Sequence, residues 1–276
     1  MTIPLTGSGA DTWLVALDVD GTIILEDETM SPGVPAAIGR LRDAGHFVTL
    51  ATGRSWGGTR PHLESLGLEP EFVVCSNGAV TMRRAGDDWE RWHVETFDPT
   101  QVLGLLGERL PDARYMVELG SGQRLFTEQL DDWTLDGARQ VAFAELSAEP
   151  VSRVVVVAPG QDEDYFHDLV AEVGLNEVSY AIGWTAWLDI APQGVDKGTA
   201  LARVREQLGH ASERVLVAGD GRNDLGMFGW SLSGGGRAVA MGQAPDVVKA
   251  AAGEVTVTVE EGGLALALDS LLIAAR

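Results

Sequence analysis

Apolar runs that break abruptly into polar and glycine residues alternate with amphipathic stretches along most of the chain. Residues 13–17 form such a run and end at Asp18-Val19-Asp20-Gly21-Thr22. An amphipathic stretch over 31–44 predicts a helix, with Ser31 as N-cap, Pro32 at the first helical position and Gly45 as the stop. A strand over 46–51 runs into Thr52-Gly53-Arg54, a helix is expected to about residue 66, and a third strand over 72–75 ends in Ser76-Asn77-Gly78. The last third repeats the pattern. It predicts a helix over 197–208 and a strand over 214–218 that ends in Gly219-Asp220-Gly221-Arg222-Asn223-Asp224. A short helix follows, then a strand over 237–241, a helix near 245–251, a strand over 255–259 and a last helix to about 275. Strands alternating with helices predict an α/β fold built on a parallel sheet. In open sheets of that kind ligands bind beyond the C-terminal ends of the strands.

Between these halves lies a stretch, 82–189, with strand candidates at 153–157, 178–181 and 186–190 and helix candidates at 99–110 and 162–173. Connections beyond about 12–15 residues are already uncommon, so this stretch is expected to be an inserted domain, with the core made of 1–81 and 190–276. There is no internal repeat, and only Gly7-Ser8-Gly9 reads as a loose end. Composition narrows the function class. The 276 residues are 45% hydrophobic and 22% charged, as in ordinary folded proteins, so disorder is excluded. Against 20 basic residues stand 41 acidic ones, a formal charge of −21, which argues against nucleic acid and against a polybasic hold on anionic lipid. One cysteine, Cys75, cannot form an intrachain disulfide, and no apolar run reaches the ~18 residues of a membrane span. The start lacks a basic and then hydrophobic leader. A cytoplasmic protein, monomeric or a small homo-oligomer, is expected.

The polar strand ends carry the candidate chemistry. Asp-Gly after a strand is also an ordinary turn, but two carboxylates two residues apart, Asp18 and Asp20, also point toward one pocket. Such close anions stay ionised only beside a cation, or one of them holds a proton, so the pair suits a divalent metal or a general acid. Asp220 with Asn223 and Asp224 adds oxygen ligands of the kind Mg2+ prefers, or else forms a turn and helix cap. Thr52 and Gly53 offer a hydroxyl and an open backbone N–H to a phosphoryl oxygen. Lys197 is one of two lysines, the other being Lys249, and suits an anionic transition state. The alternative for Lys197, a solvated residue in a first helical turn, is opposed by the helix dipole.

Asp18-Val19-Asp20-Gly21-Thr22, Thr52-Gly53-Arg54, Lys197-Gly198 and Gly219–Asp224 together resemble the four ordered motifs of the haloacid dehalogenase (HAD) superfamily of phosphatases. Ser76-Asn77-Gly78-Ala79, the segment 188–197 and Ala240-Met241-Gly242 resemble its Cof-type, subclass IIB branch. One departure is Gln243, where that branch usually shows Asn, and it bears on a loop contact rather than on the chemistry. The resemblance implies a Rossmann-like α/β HAD core with an inserted α+β C2 cap. It implies a Mg2+-dependent phosphatase that hydrolyses a small phosphorylated metabolite, with a sugar phosphate the favoured class. Asp18 would be the nucleophile that forms an aspartyl-phosphate, and Asp20 the general acid and then base. Asp18, the carbonyl of Asp20, Asp220 and Asp224 would hold the metal, with Asn223 beside them. The Val19 backbone, Thr52, Gly53, Lys197 and Asn223 would bind phosphate. Arg54, Trp56 and Asn77 are expected to face the substrate. Alternatives are a phosphomutase or phosphotransferase of the same superfamily and a non-catalytic ligand-binding relative.

A cap would exclude water and choose the leaving group. Trp89, Trp92, Trp133, Trp184 and Trp187 fall in the inserted stretch and are expected to pack rather than to stack on a sugar. His46, His62, His93, His167 and His210 have no metal-ligand spacing and read as structural or surface residues. Cys75 reads as a small core residue, and the Gly-rich 233–236 precedes a strand and is a poor phosphate cradle.

Overall fold

The computed structural model describes residues 12–130, 135, 137–158, 165, 178–183 and 187–274. The chain begins with β1 (Leu14–Leu17), α1 (Val34–Asp43), β2 (Phe47–Leu50), α2 (Trp56–Leu66), β3 (Phe72–Cys75), β4 (Val80–Ala85) and β5 (Asp88–Val94). Then come α3 (Thr100–Arg109), β6 (Arg114–Leu119), β7 (Arg124–Phe126), β8 (Arg139–Gln140), β9 (Val151–Val157), β10 (Val178–Gly183) and β11 (Trp187–Pro192). The last stretch holds α4 (Lys197–Leu208), β12 (Val215–Gly219), α5 (Leu225–Ser233), β13 (Arg237–Ala240), α6 (Asp246–Ala251), β14 (Glu254–Val255) and α7 (Gly263–Ala274). Two compact units result: residues up to Arg91 together with those from Asp196 onward, and Trp92–Val195.

In the first unit five parallel strands stand in the order β14-β13-β12-β1-β2. All four β1 residues are buried, as a continuous apolar run demands in a sheet covered on both faces. From the central pair, β1 leads through α1 to β2 on one side and β12 leads through α5 to β13 on the other. Right-handed crossovers in opposite directions put α1 and α5 on opposite faces. The connections therefore part between β1 and β12, the place at which sheets of this kind bind ligands, and Asp18 and Asp220 follow the C-terminal ends of those two strands.

Three local expectations are corrected. α1 starts at Val34, not at Pro32, with Gly33 at φ 79° as N-cap and Pro35 in the first turn. Ser31 does not cap it, because its hydroxyl donates instead to the carbonyl of Val259 at 2.6 Å. β3 touches the parallel sheet through the Ala51–Val74 bridge but pairs antiparallel with β4. Ser76, Asn77 and Gly78 all have positive φ (49°, 51° and 101°) and turn the chain back on itself. The strand expected over 255–259 is only Glu254–Val255. Beyond it Val257 accepts from the Gly242 N–H and Glu261 caps Thr258, which bends the segment into a turn.

The second unit is a six-stranded sheet, β10-β11-β9-β6-β7-β8, antiparallel except for β7 with β8. Val102, Leu103 and Leu106 of α3 pack on alternate residues of its strands, among them Tyr115, Val117, Val154, Val156, Leu188 and Ile190. Most of the helix expected over 162–173, together with Trp133, Trp184, His167 and Gly7-Ser8-Gly9, lies outside the described residues. Among the described residues, no helix is long and apolar enough to cross a membrane.

Candidate active site

Each candidate residue sits on a segment that leaves the C-terminal edge of the parallel sheet. Asp18 follows β1 directly, and its N–H donates to Ala218 at the end of β12, which fixes the two strand ends side by side. Lys197 is the first residue of α4. The N-cap Asp196 accepts from the Thr199 N–H at 2.7 Å, so the helix start is pinned just where the lysine turns inward. Gly198 follows because α4 crosses α5 closely: a Cβ there would lie 2.5 Å from the Gly226 carbonyl.

Lys197 is fully buried, and its Nζ donates to Asp18 Oδ1 and to Asp224 Oδ1, both at 2.6 Å. Asp224 Oδ2 accepts from the backbone N–H groups of Asp220 and Gly221 at 2.9 Å, closing the loop after β12 on itself. Asp18, Asp220 and Asp224 are all buried, and their carboxylate oxygens approach within 4.8 Å of one another. Three carboxylates against one ammonium leave a net −2 in a site shut off from water. Burial, with Asp224 next to it, raises the Asp18 carboxyl well above the ordinary range. The same two causes push Asp220 up to about 7. Burial alone would lower Lys197, but Asp18 and Asp224 outweigh it and keep it an ammonium. An all-oxygen, doubly negative, buried group fits a hard dication such as Mg2+.

Asp20 is placed differently. Its side chain is 57% exposed and turns to Arg54, whose Nη2 lies 2.6 Å and Nε about 3 Å from the carboxylate. Arg54 Nη2 also donates to Glu28 at 3.1 Å. Glu28 sits at φ 63°, a left-handed conformation a non-glycine residue seldom holds, at the tip of the loop closed by the Ile24–Met30 bridge. The structure brings together the three carboxylates expected at a metal, those of Asp18, Asp220 and Asp224, while the side chain of Asp20, expected there only through its carbonyl, is engaged by arginine.

The remaining candidates line the same edge. Buried Thr52 accepts the Arg54 N–H on its hydroxyl at 3.1 Å, and its carbonyl accepts the Asn77 N–H at 3.0 Å. Asn223 Nδ2 donates to Asn77 Oδ1 at 3.0 Å, and the Asn77 amide lies against Gly53. Val19 is buried, and its carbonyl accepts N–H groups from the turn at Thr22 to Ile24. Trp56, the first residue of α2, stacks at a tilt on Trp89 with centroids 4.8 Å apart. Sequence reasoning missed Thr22, whose hydroxyl lies 3.5 Å from Asp18 Oδ2, and Glu28. It assigned Gln243 to a loop contact, which the side chain does make, with the Gly21 carbonyl and the Val259 N–H. The Gln243 side chain reaches Asp220 itself, at 3.3 Å. Cys75 is buried, as expected of a core residue.

Such a set of strand-end carboxylates around a buried lysine, on a parallel sheet with a second unit inserted in the chain, defines a class of phosphoryl-handling hydrolase. A family model described as haloacid dehalogenase-like hydrolase matches residues 15–109 and 113–268, and the chain belongs to that family, in its Cof-type branch. It is 30% identical over 271 residues to the 5-amino-6-(5-phospho-D-ribitylamino)uracil phosphatase YitU of Bacillus subtilis, across 92% of this chain and 95% of that one. To the pyridoxal phosphate phosphatase YbhA of Escherichia coli it is 30% identical over 261 residues, covering 87% and 92%. In fold it is similar to the HAD subclass IIB sugar phosphatase BT4131, with a TM-score of 0.79 and 20% identity over 95% of this chain and 100% of that one. The chain is a phosphoric monoester hydrolase, and the relatives named above are phosphatases of phosphorylated metabolites.

Proposed function

We propose that the protein is a Mg2+-dependent phosphatase that works through phosphoryl-Asp18 on a small phosphorylated metabolite in the cytoplasm. The observation that carries this reading is the approach of Asp18, Asp220 and Asp224 within 4.8 Å, with Lys197 bonded to two of them. Asp18, Asp220 and Asp224 would hold the ion, which when bound would offset the net −2 of the site and polarise a phosphoryl oxygen.

Asp18 attacks phosphorus: an Asp18 oxygen–phosphorus bond forms as the bond to the leaving oxygen breaks. Asp20, once it lets go of Arg54, gives that oxygen its proton and afterwards takes one from the attacking water. Water then displaces Asp18 from phosphorus and restores its carboxylate. Lys197 keeps the nucleophile oriented and balances the charge that gathers on the phosphoryl oxygens. The Thr52 hydroxyl, the Gly53 N–H and the Asn223 amide, braced by Asn77, are the phosphate donors of this account, and Val19 adds its backbone. Arg54 becomes available to an anionic substrate when Asp20 leaves it.

The named activities of the relatives concern a phosphoribitylaminouracil and pyridoxal phosphate, and the fold neighbour is a sugar phosphatase. A sugar or sugar-like phosphate therefore stands first among substrates. A screen of phosphorylated metabolites with Mg2+, reading released phosphate without an acceptor alcohol, tests the proposal. Release that stops in EDTA and returns with Mg2+ supports it. Full activity after exhaustive dialysis into EDTA, or substrate consumed only when an acceptor alcohol is present and itself becomes phosphorylated, overturns it.

A further inference from the structure

Two of the three clustered carboxylates are held by groups of their own segment or by Lys197. Asp18 Oδ1 takes Lys197, and Asp224 takes Lys197 and two backbone N–H groups. Asp220 has a different anchor. Among the described residues, the donor to its carboxylate is Gln243, whose Nε2 lies 3.3 Å from Oδ2 and 2.5 Å from the carbonyl of Gly21. At its other end Gln243 Oε1 accepts from the Val259 N–H at 3.0 Å. One amide thus joins the loop after β1, the loop after β12 and the turn before α7.

The fit around Asp220 is tight on the Gly21 side as well. Gly21 has φ 67°, and a Cβ there would lie 2.1 Å from Asp220 Oδ2, so the carboxylate rests against bare backbone. Both contacts fall on the same oxygen, Oδ2, which the Gly21 backbone crowds and the Gln243 amide bonds. An asparagine would be shorter by one methylene, about 1.5 Å, and could not bridge Val259 to both acceptors from the same backbone.

We infer that Gln243 is the positioning residue for Asp220: it fixes the rotation of a cation-binding carboxylate and so sets the affinity of the site for Mg2+. The inference rests on the proposed cation site. Partners that orient a metal ligand are typically worth about 10–100-fold in metal affinity.

The test is calorimetric titration of the metal-free full chain with Mg2+ alone, for wild type, Gln243→Asn, Gln243→Met and Ser31→Ala. Ser31→Ala removes the hydroxyl from the Val259 carbonyl and loosens the same turn without touching Asp220. The expected result is a Kd about tenfold or more weaker in both Gln243 variants, and unchanged in Ser31→Ala. In turnover, the Gln243 variants should need more Mg2+ for half-saturation yet recover most of kcat when saturated. Mg2+ affinities within twofold of wild type in both Gln243 variants, or an equal loss in Ser31→Ala, would overturn the inference and leave the cation site standing. A wild-type chain that binds no Mg2+ would overturn both.

Discussion

A lysine at the first position of a helix works against the helix dipole, yet Lys197 is wholly buried there. Two carboxylates hold it, and without it Asp18 and Asp224 would face each other with no counter-charge. Lys197→Met is expected to lose turnover and about 3–5 kcal/mol of stability, read from denaturant melts; an inactive variant as stable as wild type would contradict the ion-pair account. The same crowding sets the response to pH. Asp18 and Asp220 have raised carboxyls, Asp220 to about 7, so the metal-free native state binds protons that the unfolded chain releases near 3.8. These two groups then stabilise the metal-free fold least at high pH, and their penalty grows as pH rises above the ordinary carboxylate range, for Asp220 until about 7. A cation must displace those protons, so Mg2+ affinity should weaken as pH falls through about 7, where Asp220 takes up its proton. Titrations on either side of that value check this, and a pH-independent Kd would contradict it. The charged residues of the site were legible because carboxylates and a rare lysine stand out against apolar strands. Glu28 and Gln243 were not. Arg54 lies 26 residues from Glu28, and Gly21 lies 222 from Gln243, so no local pattern encodes either contact.

Among the elements, β1 and β12 could be read directly, because buried parallel strands are written as unbroken apolar runs that end in polar residues. β5 and β8 could not. Every residue of β5 is at least partly exposed and both residues of β8 are exposed, so neither shows the alternation that marks a half-buried strand. The start of α1 was misread because Ser31-Pro32 has the composition of a helix start while the serine is used elsewhere. The seat of Lys197 depends on two helices crossing at glycine. Gly198→Ala would drive a Cβ to 2.5 Å from the Gly226 carbonyl, and α4 must yield. A displacement of about 1 Å at a positioned group can cost on the order of 100-fold, so this variant should lose at least tenfold in kcat without altering a reacting side chain. Gly39→Ala in α1, where a Cβ would meet nothing within 4 Å, is the control and should gain about 0.4–1 kcal/mol through the unfolded chain. Steady-state assays and melts of the two variants settle it, and a fully active Gly198→Ala would contradict the close-approach argument.

At the scale of the molecule, Lys197 and Asp18 meet although 179 residues separate them, because Lys197 opens α4, the helix that leads into β12, and β12 is the parallel neighbour of β1. The α/β class and the inserted stretch follow from alternation and connection length, which a sequence displays. The order of the strands does not, since apolar runs carry no record of which neighbour each will pair with. The central claim is that the residue at the end of β1 becomes the phosphoryl carrier. Its most direct measurement is mass spectrometry of the Asp20→Asn chain, quenched in acid during exposure to excess p-nitrophenyl phosphate and Mg2+. Without the base for the second step, the account predicts one hydroxylamine-sensitive phosphoryl group on the peptide that contains Asp18, absent from the Asp18→Asn chain. Release of p-nitrophenol with Asp18 unmodified, or with the phosphoryl group on another residue, would contradict it.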